Sequence, residues 1–170
     1  NEASRKRGLH AANILAGRYN IAGHFIRAWN EFNDGRNTKG WAIIDCLMNL
    51  PLLYFAEGET KDHRYELIAK SHADMAEQYF LREDGSVNHI IEFNPLTGEY
   101  IRSHGGQGYG EGSSWTRGQA WAIYGFALSF KHTKNVKYLD AAKRVAHYFI
   151  ASIPENGMIP IDFRQPEEPA

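Results

Sequence analysis

Asp45 is the only charged residue in the sixteen-residue run 41–56, WAIIDCLMNLPLLYFA. A carboxyl carried into an apolar interior loses water, which favours its neutral, proton-donating form. General acid chemistry near neutral pH requires such a group. Read as a helix, the run places Asn49 four residues on, within reach of the carboxyl or of a substrate oxygen. Pro51 should then disturb that helix one turn later. The competing reading is a buried Asp satisfied by a neighbouring helix end or an Arg. A second constellation is Ser114-Trp-Thr-Arg-Gly-Gln-Ala-Trp121. Ser113 or Ser114 suits an N-cap, which puts Arg117 in the first helical turn, where the dipole favours acidic residues instead. A cation at that place invites an anion. Arg117 and Trp121 are four apart, as are Trp115 and Gln119, so one turn presents an arginine with tryptophans. Tryptophan beside polar donors is a common way to hold a sugar ring, its apolar face stacked and its hydroxyls bonded. The plain alternative is that both tryptophans are core.

Other chemistry is less well supported by spacing. The eight histidines form no HExxH or HxH pattern, and no carboxylate-rich loop offers ligands, so neither a metal nor a cofactor is expected. His89, in Val87-Asn-His-Ile, is placed to enter a cavity, whereas His10, His63, His132 and His147 lie among charged residues and belong to the surface. Cys46 has Asn49 and Leu50 at the positions that could activate a thiolate, and reads as buried packing. The segment 105–112, GGQGYGEG, holds five glycines in eight residues before a helix. Its backbone could approach a ligand closely, but it lacks the Lys and Ser/Thr of a phosphate-binding loop, which excludes that nucleotide motif. No GxSxG nucleophile elbow is present.

The elements that must position these residues alternate in character. Residues 41–56 and 113–130 are apolar nearly all round, as helices buried on every side are. Residues 61–80 and 135–152 carry apolar residues on one face only, as does the opening stretch 4–16. The order is outer, inner, outer, inner, outer. An ungapped repeat at an offset of 73 supports it, since residues 60–73 and 133–146 share six of fourteen identities. Each outer helix leads to a Gly and a short strand-like piece, at Gly23 to Trp29, Gly85 to Phe93 and Gly157 to Phe163. Residues 87–104 form a small β excursion around the turn Asn94 to Gly98. The pattern predicts an all-α toroid of helix pairs around a central cavity, with an irregular bundle as the alternative. The 170 residues suffice for one core. Nineteen Lys and Arg, interspersed with 20 Asp and Glu, form no basic face for nucleic acid, and no apolar run reaches a bilayer span. A single cysteine excludes an intrachain disulfide and leaves the compartment open.

These residues together resemble the unsaturated glucuronyl hydrolases, glycoside hydrolase family 88. The resemblance rests on Asp45-Cys-Leu-Met-Asn-Leu-Pro, Asp84-Gly-Ser-Val-Asn-His89, Gln107-Gly-Tyr, Ser114-Trp-Thr-Arg-Gly-Gln-Ala-Trp121 and Pro160-Ile-Asp-Phe163. It implies an (α/α)6 barrel, a six-hairpin toroid. About five of its helices and the β excursion would come from residues 1–170, as the central part of one catalytic domain without the first and last hairpins. It also implies removal of a 4,5-unsaturated glucuronic acid from the non-reducing end of lyase-generated oligosaccharides, by hydration of the C4=C5 enol ether, with Asp45 as acid/base. Trp29, His89, Gln107, Trp115, Arg117 and Trp121 would contact the substrate, an unsaturated glucuronyl oligosaccharide. The family has a further important Asp on an earlier inner helix. Nothing in residues 1–40 matches that helix, and Asp34 is no substitute for it. The related unsaturated rhamnogalacturonyl hydrolases and a non-catalytic sugar-binding toroid remain as alternatives.

Overall fold

The computed structural model describes residues 1–30 and 35–166, so Asp34 lies outside the described residues. Five α-helices dominate: α1 (Glu2–Ala16), α2 (Leu50–Thr60), α3 (Arg64–Tyr79), α4 (Thr116–Thr133) and α5 (Val136–Ala151). Contacts run α1 to α3 and α3 to α5 among the outer helices, while α2 and α4 pack on each other and on those outer neighbours. This is the expected alternation, two layers of helices built from consecutive hairpins. Among the described residues no helix is long and apolar enough to cross a membrane.

The sequence repeat is visible as repeated atomic detail. Thr60 Oγ1 donates to Ala56 O at 2.7 Å, and Thr133 Oγ1 to Ser129 O at 2.7 Å. Lys61 and Lys134 then adopt the left-handed conformation, each with φ of 59°, and their amides close α2 and α4 onto Glu57 O and Phe130 O. Such a cap satisfies carbonyls that a helix end otherwise leaves unpaired. The matched tyrosines join successive outer helices. Tyr65 OH on α3 donates to Asn13 Oδ1 on α1 at 2.7 Å, and Tyr138 OH on α5 donates to Asp74 Oδ1 on α3 at 2.7 Å. Both rings are buried. On α5 the buried residues Tyr138, Ala141, Ala142 and Val145 recur at helical spacing, and Asn135 caps the helix by accepting Lys137 N–H at 3.1 Å.

The run 41–56 differs from the expected single helix. Residues Trp41–Ile43 form strand β3, Ile44–Asn49 a 3₁₀ helix, and α2 begins only at Leu50. An apolar run without polar punctuation reads alike as a buried strand or a buried helix, and here the β-rich start Trp-Ala-Ile is claimed by a sheet. Pro51 does not disturb a helix. It occupies the first turn of α2, where its missing N–H would have had no partner. The β excursion is accordingly three-stranded and antiparallel, in the order β3, β4 (Ile90–Phe93), β5 (Tyr100–His104). Ala42 pairs with Ile91 and Ile91 with Ser103, and Ala42 and Ile91 enter the core. The turn before β5 closes as expected, with Gly98 N–H on Asn94 O at 2.8 Å. The first strand-like exit is a hairpin of β1 (Tyr19–Asn20) and β2 (Phe25–Ile26). The third forms no strand, only an isolated bridge between Trp115 and Asp162.

The paired tyrosines generate a comparison. Tyr138→Phe removes a bond to a carboxylate and should cost about 2 kcal/mol, whereas Tyr65→Phe removes one to a neutral amide and should cost about 1 kcal/mol. Denaturant unfolding of the two variants checks this, and equal losses would contradict it.

Candidate functional site

Asp45 stands just after β3, and His89 just before β4. The β3–β4 pairing therefore brings the two together, and Ile44 N–H seals the junction by donating to His89 O at 3.0 Å. His89 Nε2 lies 3.5 Å from Asp45 Oδ2. Both atoms are buried and neither makes a hydrogen bond. On the other side of the ring, Nδ1 accepts Gln107 N–H at 2.8 Å. Nδ1 also lies 3.3 Å from Gly105 O, but the shorter contact with the Gln107 amide makes it an acceptor, which puts the ring proton on Nε2, facing Asp45. The Trp115 ring packs at 4.3 Å from the imidazole. Arg117 lays its guanidinium over Trp115 at 4.5 Å and donates through Nη2 to Gln107 Oε1 at 2.6 Å. Asp45, His89, Gln107, Trp115 and Arg117 thus form one continuous cluster from four separate chain segments.

Three local expectations need correction. Asp45 is not stripped of water: its side chain is 35% exposed, although Oδ2 is buried. Asn49 does not share its face, because a 3₁₀ helix turns every three residues; Asn49 lies instead beside the Cys46 thiol. Burial pushes that thiol up to about 12, an inert packing residue as expected. Neither Ser113 nor Ser114 caps α4. The N-cap is Trp115, and Ser114 is tied through its backbone to Asp162 and Phe163.

The remaining two candidates stand at the margins. Trp29 sets its ring edge-on to Trp41 at 6.0 Å, and Trp41 packs on His104 at 4.4 Å. Trp41, Arg102, His104 and Gly106 help line a cavity of about 340 Å³ over this open face of the sheet. Trp121 sits one turn beyond Arg117 on α4, half-buried, with its indole N–H buried and unbonded. A cavity of about 240 Å³ between the β1–β2 hairpin and α3 is lined by none of these residues.

Several positioning residues escaped the sequence reading. Gln119 is fully buried and clasps the backbone of Val87, accepting its N–H at 2.9 Å and donating to its O at 3.1 Å. The signal was available, since Gln119 is a polar residue within an otherwise apolar helix. The motif from Asp84 to His89 proves to be scaffold up to its last residue. Asp84 accepts from the Ser86 amide and hydroxyl and pairs with Arg164, while Arg82 bonds Ser86 Oγ, Asn88 Oδ1 and Ser113 O. In the glycine-rich loop, a Cβ on Gly106 would strike His89, and one on Gly108 would strike Ser113 and Asp162. Glu57, His63 and Glu66, at a spacing the metal patterns did not cover, bring ligand atoms within 4.8 Å of one another at the α2–α3 junction. His63 also approaches Glu57 at 3.5 Å and Lys70 approaches Glu66 at 3.8 Å, so the group is engaged in surface ion pairs.

A double layer of helical hairpins with a carboxylate, an imidazole and a stacked tryptophan–arginine pair at one edge defines a helical protein with an aromatic, cation-bearing site. No protein-family model matches the chain. It is 43% identical to an unsaturated glucuronyl hydrolase of Bacillus sp. (strain GL1) over 169 residues, 99% of the chain and 45% of that protein. It is 39% identical to an unsaturated chondroitin disaccharide hydrolase of Streptococcus pyogenes serotype M1 over 153 residues, 90% of the chain and 38% of that protein. The crystal structure of the Bacillus sp. GL1 unsaturated glucuronyl hydrolase matches with a TM-score of 0.92 at 43% identity, covering 99% of this chain and 45% of that one. The chain belongs with the unsaturated glucuronyl hydrolases, and it spans less than half the length of these relatives.

Asp84 supplies a test of the scaffold. Burial alone would raise its carboxyl, but Ser86 and the Arg164 guanidinium outweigh that and hold it below the usual carboxylate range. A carboxyl lowered in the folded state contributes stability that is complete above its unfolded value, about 3.9, and is lost as pH falls through the lower folded value. The stability difference between wild type and Asp84→Asn should therefore be flat from about pH 7 to 5 and shrink below about pH 4. Unfolding measured across that range checks it; a difference that shrinks already near pH 6 would contradict the assignment.

Proposed function

We propose that the protein carrying this chain is a glycoside hydrolase that removes 4,5-unsaturated glucuronic acid from the non-reducing end of lyase-generated oligosaccharides. The chain would form the central part of an (α/α)6-barrel catalytic domain. The observation that carries this reading is the pairing of Asp45 with the Nε2 face of His89 beside a Gln107–Arg117 pair stacked on Trp115. The names of the two relatives, which act on unsaturated glucuronyl and chondroitin disaccharide substrates, support it.

The substrate's enol ether is electron-rich at C4. In this reading the Asp45 carboxyl delivers its proton to C4, and positive charge develops at C5 and the ring oxygen. The resulting carboxylate then takes a proton from a water whose oxygen bonds to C5. The hemiketal so formed opens and releases the remaining sugar, with Asp45 again protonated. The His89 N–H is aimed at Oδ2, where it can orient the carboxyl and support its charge once the proton has left. A distance of 3.5 Å is long for a hydrogen bond, and catalytic contacts often tighten only when substrate binds. Arg117 is the cation for the uronate carboxylate. Gln107 spends its carbonyl on Arg117, which leaves its amide N–H groups to substrate hydroxyls. Trp115 carries the guanidinium, and Trp29 and Trp121 offer ring faces to the sugars.

Turnover of an unsaturated chondroitin-type disaccharide by the full-length protein, followed as loss of double-bond absorbance, tests the proposal. Asp45→Asn should lower kcat by about 10²-fold or more, since the amide keeps the shape but has no proton to give. A variant at full rate would sink the assignment. Arg117→Lys keeps the charge but loses the planar two-pronged donor and its stacking on Trp115, so KM should rise about tenfold or more; an unchanged KM would remove Arg117 from uronate binding.

A further inference from the structure

The strap of residues 160–164 is bonded to three of the four segments that build the candidate site. Arg164 reaches the His89 segment through Asp84 and through Ser86 Oγ at 3.1 Å, and the glycine-rich loop through Gly112 O at 3.1 Å. Ile161 O and Phe163 N–H flank the start of α4, bonded to Thr116 N–H at 3.0 Å and Ser114 O at 3.1 Å. At the centre is Asp162, 2% exposed. A buried carboxylate is costly unless its lone pairs are met, and these are met by backbone. Oδ1 accepts Ser114 N–H at 2.8 Å and Arg164 N–H at 2.9 Å, and Oδ2 faces Tyr109 N–H at 3.4 Å. Among the described residues no ion pair reaches it. The loop backbone is pressed onto the same oxygen, because a Cβ on Gly108 would lie 2.6 Å from Oδ2.

Gly108 and Tyr109 directly follow Gln107, while Ser114 directly precedes Trp115, on which Arg117 rests. We propose that Asp162 is a positioning residue that sets Gln107 against Arg117 by gripping the loop with one carboxylate oxygen and the start of α4 with the other. The inference rests on the function proposed above in taking that pair as the uronate grip. It assigns Asp162 no contact with substrate and no proton transfer.

Asp162→Asn separates the two grips. The amide oxygen can still accept from Ser114 and Arg164, but its NH2 must then confront the Tyr109 N–H, donor against donor. In the full-length protein KM for the unsaturated disaccharide should rise about tenfold with kcat within about threefold. In a Gln107→Ala background the same change should alter KM less than about twofold, because its effect runs through Gln107. Backbone amide exchange at Tyr109 should quicken about tenfold while Ala122, inside α4, keeps its protection. Full additivity with Gln107→Ala, or exchange that rises equally along α4, would overturn the proposal and reduce Asp162 to general support. If the wild type turns over no disaccharide, the functional reading fails, and the exchange pattern still decides whether Asp162 holds the loop. Should the Asn variant not fold, the wild-type Tyr109 amide is expected to exchange at least about tenfold more slowly than that of the exposed Glu111; equal rates would count against the grip.

Discussion

An imidazole that accepts at one nitrogen presents an N–H at the other, and at His89 the chain bonds the first and aims the second at a carboxylate. The Gln107 amide takes the acceptor, so the remaining N–H faces Asp45. That single hydrogen bond links the glycine-rich loop to the orientation of the group beside the carboxylate. It holds only if three segments far apart in sequence arrive together. The β3–β4 pairing fixes His89 against Asp45, Gln119 clasps the strand approach at Val87, and Trp115 closes the ring face. Each is a polar or aromatic contact to backbone or ring, made in a buried place where an unmet donor is expensive. Around the site, then, order comes from polar and aromatic contacts to backbone and ring, while at its centre Asp45 Oδ2 and His89 Nε2 are left buried and unbonded.

The helical layers stand on different terms. Their register repeats because the same residues recur at the same offset: a threonine bonding back to the preceding turn, a lysine reversing the chain, a tyrosine reaching across to the previous outer helix. Those contacts are short in sequence or lie between neighbouring hairpins. The site contacts, by comparison, follow no repeat: among the described residues, Asp84 with Arg164 and Val87 with Gln119 have no counterpart at the offset that relates the hairpins.

That division explains what could be read in the sequence. The five helices and their outer–inner order follow from periodicity, and the repeat from identities, because both are local. Residues 41–56 mislead because burial on all sides erases the period by which strand and helix are told apart. Asp45 attracts notice as a lone charge and Arg117 as a cation at a helix start. The assembly of Asp45 with His89 and Gln107 is not legible in spacing at all, since a strand pairing makes it, and only the family resemblance groups them. Asp162 lies between two hydrophobic residues and looks like any surface Asp in a loop. Nothing local reveals that three backbone amides turn toward it.

The glycines of residues 105–112 invite an engineering conclusion that the packing reverses. A loop so rich in glycine would ordinarily be chosen for cutting, tagging or lengthening a protein. Here the missing side chains are replaced by neighbours: Gly105 abuts the carbonyl of Gly110, Gly106 the His89 ring, and Gly108 the side chains of Ser113 and Asp162. At these three glycines the space a side chain would need is thus already occupied, although Gly106 and Gln107 themselves are exposed. Among these glycines open space lies beside Gly110 and Gly112, and Gly112 has a φ of 75° that strains any other residue. A graft would be accommodated, if anywhere in this loop, at its far end, and a library that randomised all eight positions would spend most of its diversity on sequences with no room for a side chain.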